Sequence, residues 1–584
     1  GNAYYSQGKY EKSLEFSERA TAVARQMGSP ERLQQARTVG GKAYRSLNRL
    51  DQGRQAFQEA IDTIETVRGQ LAGNEQQQEQ FFEDKLSPYQ AMVELLITQN
   101  KIGEALAYAE RAKARMLLDV LRGGRVNIAK AMSAQEQERE RRFNTDLVSI
   151  NNQISREGSR TQPDPSSLAN LKGQLQKARL DYEAFQSNLY AAHPELKVQR
   201  GQAQPVTVED IAALLPDAKS ALLEYVVTDE RVYLFVSTRT SEADQNKLDL
   251  KAYLLEIKRK DLVERAERFR KQLGARDLGF RDAARALYDL LLKPAQAQID
   301  GKTTLVVVPD EVLWELPFQA LQSAKNRFLL EDHAISYAPS LTVLREMIRL
   351  RKTRTSNASH SITLLAMGNP SLGSKAQARF KLTLSDEKLD ALPEAENEVK
   401  TLAQLYGAGR SKVYVGAEAR EDRLKADASK FTVLHLATHG ILNDASPMYS
   451  QIVLSQDDGS VTEDGLLEAW EIMKMDLKAD LVVLSACETA RGRVGAGEGV
   501  IGLTWALFVA GSPTTVVSQW KVDSASTTQL MLEFHRNLRN GMNNWNKGIG
   551  TARALQQSAM KLLRSSEYRH PFYWAGFVVM GDGD

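Results

Sequence analysis

The run Asp480-Leu481-Val482-Val483-Leu484-Ser485-Ala486-Cys487-Glu488-Thr489 decides how the C-terminal part of this chain is read. Four apolar residues followed at once by small and polar ones predict a buried strand that ends in a loop. Cys487 is the single cysteine of the chain, and Gly-rich sequence follows it from Arg491 onward. A second run, Phe431-Thr432-Val433-Leu434-His435-Leu436-Ala437-Thr438-His439-Gly440, ends on a histidine in the same way. A thiol and an imidazole at the ends of two parallel-type strands are the parts of a cysteine peptidase. A free cysteine alone argues only for a core position, because free Cys is among the most buried residue types. The strand-end position of both residues carries the chemistry.

Working outward, short apolar runs alternate with helical segments from Val206 to the end. The predicted strands are Ala221 to Val227, Val232 to Ser237, Thr304 to Val308, Ile362 to Met367, Val413 to Val415, Thr432 to Ala437, Leu481 to Leu484, Thr514 to Ser518 and Phe577 to Met580. Helices are expected over Leu254 to Leu273, Pro393 to Tyr406, Gly499 to Val509, Ser526 to Arg539 and Ile549 to Leu563, with Pro393 suited to a first turn. Continuous apolar runs joined by helices predict a mainly parallel sheet covered on both faces. Ligands bind such sheets beyond the carboxyl ends of the strands, which is where His439 and Cys487 fall. The 48 residues separating them leave room for a hairpin around Gln451 to Leu466 and a helix near Glu468 to Met475. If the two strands are neighbours, about 5 Å apart, the imidazole can accept the thiol proton or stabilise a thiolate. The backbone N–H groups of Gly440 and Cys487 are then the natural oxyanion donors.

The N-terminal third repeats itself. Gly1, Tyr4, Gly8, Tyr10 and Ala20 align with Gly41, Tyr44, Asn48, Leu50 and Ala60, and a third copy fits Val93, Leu96, Asn100, Ile102, Ala105, Ala109 and Ala112. Phe57 takes an aromatic position held by Ser17 in the first copy. Small residues at fixed helix positions let paired helices approach closely, so a helical solenoid is expected. The pattern resembles the tetratricopeptide repeat with lengthened helices. The chain opens inside a helical pattern and without Met, so further repeats are expected upstream. From Ala129 to Tyr190 the sequence is polar and helical, broken by a turn between Arg156 and Ser167. Glu136 to Arg142 reads as a solvated helix face.

The segments LHLATHG (434–440), ADLVVLSACETARGRVGAGEGVIGL (479–503), VVSQWKVD (516–523) and HPFYWAGFVVMGD (570–582) together resemble the CHAT family, caspase-like proteases of clan CD often fused to tetratricopeptide repeats. LVVVPDEVLWELPFQAL (305–321) is similar to the N-terminal half of that family. The resemblance implies a His439–Cys487 dyad, with Cys487 as the nucleophile of an acyl-enzyme and His439 as its proton acceptor, and no obligate third acid. It also implies a pocket beside the dyad that in many relatives is acidic and takes Arg or Lys. Asp523 and Glu498 are the candidate acids, and Trp520 a candidate wall.

Competing sites fit less well. His435 and His439 form H-x-x-x-H, but the zinc protease motif needs a helix and a Glu, and on a strand the two lie about 13 Å apart. His435 is expected to be a satisfied core residue. Gly497 to Gly502 spells G-x-G-x-x-G, yet the first Gly of a dinucleotide fingerprint follows its strand almost immediately. Aromatics in His570 to Trp574 read as packing.

The net charge of +2 gives no electrostatic case for nucleic acid, and 42% hydrophobic with 26% charged residues is ordinary for a globular chain. No apolar stretch approaches the roughly 20 residues of a membrane span, and no signal peptide is visible. A lone Cys suits a reducing, cytoplasmic compartment. The expected architecture is an all-α repeat region (1–125), a long helical hairpin (126–200) and an α/β caspase-like domain (206–584), divided into a pseudo-caspase half (206–380) and a catalytic half (381–584). The expected function is a regulated endopeptidase acting on a protein substrate. An activating protein or complex would bind the repeats, in a bacterial defence or programmed-death setting, with no metal, cofactor or membrane. The alternative is a non-catalytic repeat scaffold carrying an inactive caspase-like domain.

Overall fold

The computed structural model of the chain describes residues 1–70, 85–113, 164–192, 205–239, 248–324, 326–355, 362–371, 389–443, 447–456, 463–486, 494–495, 499–500, 502–541 and 550–584, with single positions and short stretches between 133 and 157. The repeat region consists of α1 (Asn2–Ser6), α2 (Tyr10–Gln26), α3 (Pro30–Ser46), α4 (Leu50–Gln70), α5 (Ser87–Thr98) and α6 (Ile102–Ala112). Gly8, Asn48 and Asn100, the aligned turn positions, all adopt left-handed backbone with φ of 72°, 59° and 58°. The following amide bonds back over the same interval each time: Lys9 N to Tyr4 O, Arg49 N to Tyr44 O and Lys101 N to Leu96 O, at 2.8–2.9 Å. A left-handed residue closing a helix end in this way is the Schellman turn, and Gly and Asn are the residues that accept it. Close packing explains the small residue at Gly41, because a Cβ there would come within 2.5 Å of the Phe57 ring. α7 (Pro165–Ala192) follows. Its Tyr182 and Phe185 pack with Leu147 and, from the α/β domain, Trp470.

Sixteen strands are present among the described residues. In the first half they are β1 (Ser220–Val227), β2 (Val232–Arg239), β3 (Leu248–Leu255), β4 (Thr304–Val308), β5 (Ala334–Tyr337), β6 (Leu364–Pro370), β7 (Ser411–Gly416) and β8 (Val433–Ala437). Then come β9 (Gly440–Ile441), β10 (Gln451–Val453), β11 (Leu466–Glu468), β12 (Leu481–Leu484), β13 (Val494–Gly495), β14 (Gly499–Val500), β15 (Thr514–Ser518) and β16 (Phe577–Gly581). Eleven of them form one sheet in the order β3-β2-β1-β4-β5-β16-β15-β12-β8-β6-β7. β1, β4, β5 and β16 are mutually parallel, as are β15, β12, β8, β6 and β7, and the two blocks meet antiparallel at β15/β16. The expected mainly parallel α/β sheet is therefore present. It is two parallel blocks pointing in opposite directions, with carboxyl ends at opposite edges, and β2 and β3 extend the first block antiparallel.

The largest shifts from the sequence reading are two helix starts, and β3 and β5 are not among the expected strands. A helix expected from Leu254 begins at Arg259, because Leu248–Leu255 is an edge strand paired antiparallel with β2. Its burial is mixed along its length, and its first half alternates apolar and polar residues, Leu248-Asp249-Leu250-Lys251. A helix expected from Gly499 begins at Leu503. Gly499–Val500 pairs with Val494–Gly495, and Gly502 has a φ of 137°, which a right-handed helix excludes.

The helices used below are α8 (Leu341–Thr355), α9 (Pro393–Tyr406), α10 (Glu421–Asp427), α11 (Ala469–Lys474), α12 (Leu503–Ala510), α13 (Ser524–Gly541) and α14 (Thr551–Leu563). Pro393 occupies the first turn of α9, as its missing N–H favours. Buried polar contacts fuse the repeats to the sheet. Glu110 on α6 accepts from Leu341 N, Thr342 N and Thr342 Oγ1 at 2.8, 2.8 and 2.5 Å, capping α8 from another part of the chain. Lys113, just past α6, donates to Tyr225 O at 2.6 Å and pairs with Glu224 at 3.2 Å. β5 and β6 run in opposite directions, so α8 between them starts and ends at one edge of the sheet. At its far end Arg354 donates to the carbonyls of Leu477, Ala479 and Gly511 at 2.9, 3.0 and 2.7 Å. One guanidinium thereby holds the roots of β12 and β15.

Candidate active site

β8 and β12 are parallel neighbours, with Leu436 opposite Leu484. That offset of 48 residues is also the sequence separation of His439 and Cys487. Cys487 and Glu498 lie outside the described residues. The last described residue before the thiol, Ala486, is buried, and its carbonyl accepts from Ser518 Oγ at the end of β15.

His439 leaves the carboxyl end of β8. Its main-chain carbonyl accepts from Val453 N at 2.9 Å, and Thr438 Oγ1 bonds the Val453 carbonyl. The imidazole is half-buried, and its Nε2 lies 2.8 Å from the Asp390 carbonyl. A carbonyl only accepts, so Nε2 carries the hydrogen. In the neutral ring Nδ1 is then the nitrogen able to take a proton. Gly440 pairs with Ile452 in the β9/β10 ladder. Hydrogen bonding there falls on the alternate position, His439 with Val453, so the Gly440 N–H points away from β10.

The residues expected to form a substrate pocket leave β15 at the same sheet edge. Trp520 is half-buried and its Nε1 donates to Phe572 O at 3.2 Å. Asp523 Oδ1 accepts from Ser526 N at 2.9 Å, capping α13. His570 packs edge-on against Phe280 with centroids 4.8 Å apart.

Behind His439 lies a buried polar chain. His435 Nε2 donates to Glu398 at 2.6 Å, His535 Nε2 lies 3.1 Å from His435 Nδ1, and Tyr406 OH lies 2.9 Å from His535 Nδ1. In a consistent assignment tyrosine donates to His535, His535 to His435 and His435 to the carboxylate. Burial, with His435 adjacent, holds His535 well below the ordinary histidine range. His435 is thus the satisfied core residue the sequence predicts. Sequence reasoning missed Glu398 and His535, which meet it only through tertiary packing, and Asp390, whose contribution is main-chain.

A second polar cluster has its cation already. Glu421, Glu463 and Glu471 converge within 4.8 Å, and Lys425 Nζ lies 2.8, 2.5 and 2.8 Å from them. Burial pushes the Glu421 carboxyl well above the usual range. The cluster ties α10 to α11, whose Trp470 meets α7.

The sequence model of the CHAT domain matches residues 281–582, just over half of the chain. The chain belongs to the CHAT domain family. Tetratricopeptide repeat protein 28 of Mus musculus is 29% identical over 343 residues, covering 51% of this chain and 13% of the relative. The Homo sapiens protein of the same name is 24% identical over 631 residues, covering 91% of this chain and 23% of the relative. The CHAT chain thus spans under a quarter of these relatives' length. Among solved structures it is similar to the Saccharomyces cerevisiae separase–securin complex, with a TM-score of 0.40, 9% identity, and coverage of 97% of this chain and 48% of that one. It is also similar to gingipain R, an Arg-specific cysteine proteinase, with a TM-score of 0.31, 12% identity, and coverage of 52% and 67%. Among the described residues, no helix of this CHAT protein is long and apolar enough to cross a membrane.

Proposed function

We propose that this CHAT protein is a cysteine endopeptidase with Cys487 as nucleophile and His439 as its proton acceptor. The observation that carries the reading is the β8/β12 pairing. Two adjacent parallel strands, in a register offset equal to the His439–Cys487 separation, lead toward one sheet edge. There His439 holds Nε2–H against the Asp390 carbonyl, which makes Nδ1 the basic nitrogen of the neutral ring. In the proposed reaction the Cys487 sulfur attacks a peptide carbonyl carbon and its proton passes to Nδ1. The Gly440 and Cys487 N–H groups stabilise the oxyanion. The C–N bond breaks as the imidazolium protonates the leaving amine, and water then hydrolyses the thioester. Asp523 and Glu498 would favour a basic residue before the cleaved bond, with Trp520 as a wall.

In this reading residues 1–125 recognise a protein, 126–200 link, and 206–584 form the protease. The α3/α4 face offers a groove lined by Pro30, Leu33, Asp51, Gln55 and Asp62, suited to a peptide or helix. A partner bound there would regulate cleavage, in a defence or programmed-death role. The test is a proteome-derived peptide library, cleaved by wild type but not by Cys487→Ala or His439→Ala. Asp523→Ala should weaken the preference for Arg and Lys. Equal products from wild type and Cys487→Ala, or none from either with bound partners present, would instead support the non-catalytic scaffold.

A further inference from the structure

We propose that Asn369 is a positioning residue for His439, acting through the Asp390 carbonyl. The inference rests on the dyad reading above and adds the device that fixes the imidazole. Asn369 lies at the carboxyl end of β6, at a register shift between Gly368 and Pro370 where the strand bulges. β6 is the other neighbour of β8, with Gly368 opposite Ala437, so Asn369 flanks the point from which His439 emerges. Its φ is 47°. Left-handed backbone disfavours most side chains and is best tolerated by Asn, Asp and Gly. Such outliers cluster where surrounding structure over-determines them, often at functional sites.

Both ends of the Asn369 side chain are used. Leu392 N donates to Oδ1 at 2.7 Å, and Nδ2 donates to Glu396 Oε2 at 2.9 Å. Leu392 immediately precedes α9 and lies two residues after Asp390, whose carbonyl receives His439 Nε2–H. Gly368 permits the approach, since a Cβ there would lie 2.7 Å from the Ala395 carbonyl on α9. Asn369 therefore staples the segment that carries the imidazole's acceptor to the strand beside the imidazole. Without the staple, the 390–392 segment can shift, and the ring can turn Nε2 toward the thiol side. The orienting bond and the correct tautomer are then lost together.

Cys487 is the only thiol, so its alkylation reads the site directly. The experiment is the rate of iodoacetamide labelling of the full chain against pH. Each variant is checked for folding by thermal melting. Wild type is expected to show a midpoint below the ordinary thiol value of about 8.5. Asn369→Gly keeps the left-handed backbone and removes only the side chain. It should move the midpoint toward the ordinary value and slow labelling at pH 6 by about tenfold, for a shift of about one pH unit, with little change in melting. Asn369→Asp should do the same, because its carboxylate faces Glu396. Combined with Glu396→Gln it regains a donor–acceptor pair with the roles exchanged, and the midpoint should return. A wild-type midpoint in folded Asn369→Gly would overturn the proposal, as would a double variant no better than Asn369→Asp. An ordinary midpoint in wild type itself would overturn the dyad reading, and this proposal with it.

Discussion

Replacing Lys113 with Met strips the cation from a buried carboxylate and makes the stability of the repeat–sheet junction depend on pH. Lys113 and Glu224 are 4% and 1% exposed, and their charged atoms are 3.2 Å apart. Burial pushes Glu224 well above its ordinary pKa of 4.5, and Lys113 opposes that rise. In the variant the opposing charge is gone, so Glu224 folds only by taking up a proton. That route caps the electrostatic penalty at about 1.36 kcal/mol per pH unit above 4.5, which is at most about 3.4 kcal/mol at pH 7 and about 0.7 at pH 5. Loss of the Lys113 bond to Tyr225 O adds roughly 1–1.5 kcal/mol at either pH. The sign is that of a raised carboxylate: the group costs nothing below its unfolded pKa, and the cost grows as pH rises toward the folded one. Urea unfolding at pH 5 and pH 7 should therefore give a variant deficit that is larger at pH 7, by at most about 2.7 kcal/mol and by less to the extent that the wild-type carboxyl is already raised. Lys113→Met with Glu224→Leu should recover most of it, since an apolar pair of similar volume replaces many buried ion pairs without loss. An equal deficit at both pH values, or no recovery in the double variant, would refute the reasoning.

Three further outcomes are expected. Arg354→Ala leaves the Leu477, Ala479 and Gly511 carbonyls without their shared donor. It should cost about 3 kcal/mol or more and speed amide exchange of Leu481–Leu484; unchanged exchange would contradict the clamp. His535 is kept neutral in the folded chain, so stability should fall with decreasing pH below about 6.5, by up to about 1.4 kcal/mol per unit, a slope that His535→Gln should flatten. Gly41→Ala drives a Cβ into the Phe57 ring and should cost about 1–3 kcal/mol, read as a lower melting temperature that Phe57→Leu partly restores.

Much of this architecture is legible before any coordinates, for particular reasons. Gly8, Asn48 and Asn100 mark helix ends because few residues accept left-handed backbone. Leu481–Leu484 and Val433–Ala437 announce buried strands because both of their faces are covered. β3 hides from the same logic, since an edge strand with half-exposed positions resembles the start of a helix. The antiparallel meeting of β15 and β16 is equally silent, because strand direction is set by packing between distant segments. At the site, side chains at strand ends are readable and main-chain acceptors are not. His439 stands out in the sequence, while the Asp390 carbonyl and its tie to Asn369 depend on where α9 settles against β6. Asp523 shows a different limit: a carboxylate beyond a strand reads as a pocket acid, and the fold also gives it a helix to cap.

The most direct measurement is covalent labelling of the full chain by a peptidyl acyloxymethyl ketone, with the modified residue located by mass spectrometry. The account predicts a single adduct on Cys487, formed far faster than on a free thiol and reduced to the free-thiol rate by His439→Ala. Labelling of Cys487 at the free-thiol rate in wild type, unchanged by His439→Ala and by bound partners, would contradict it.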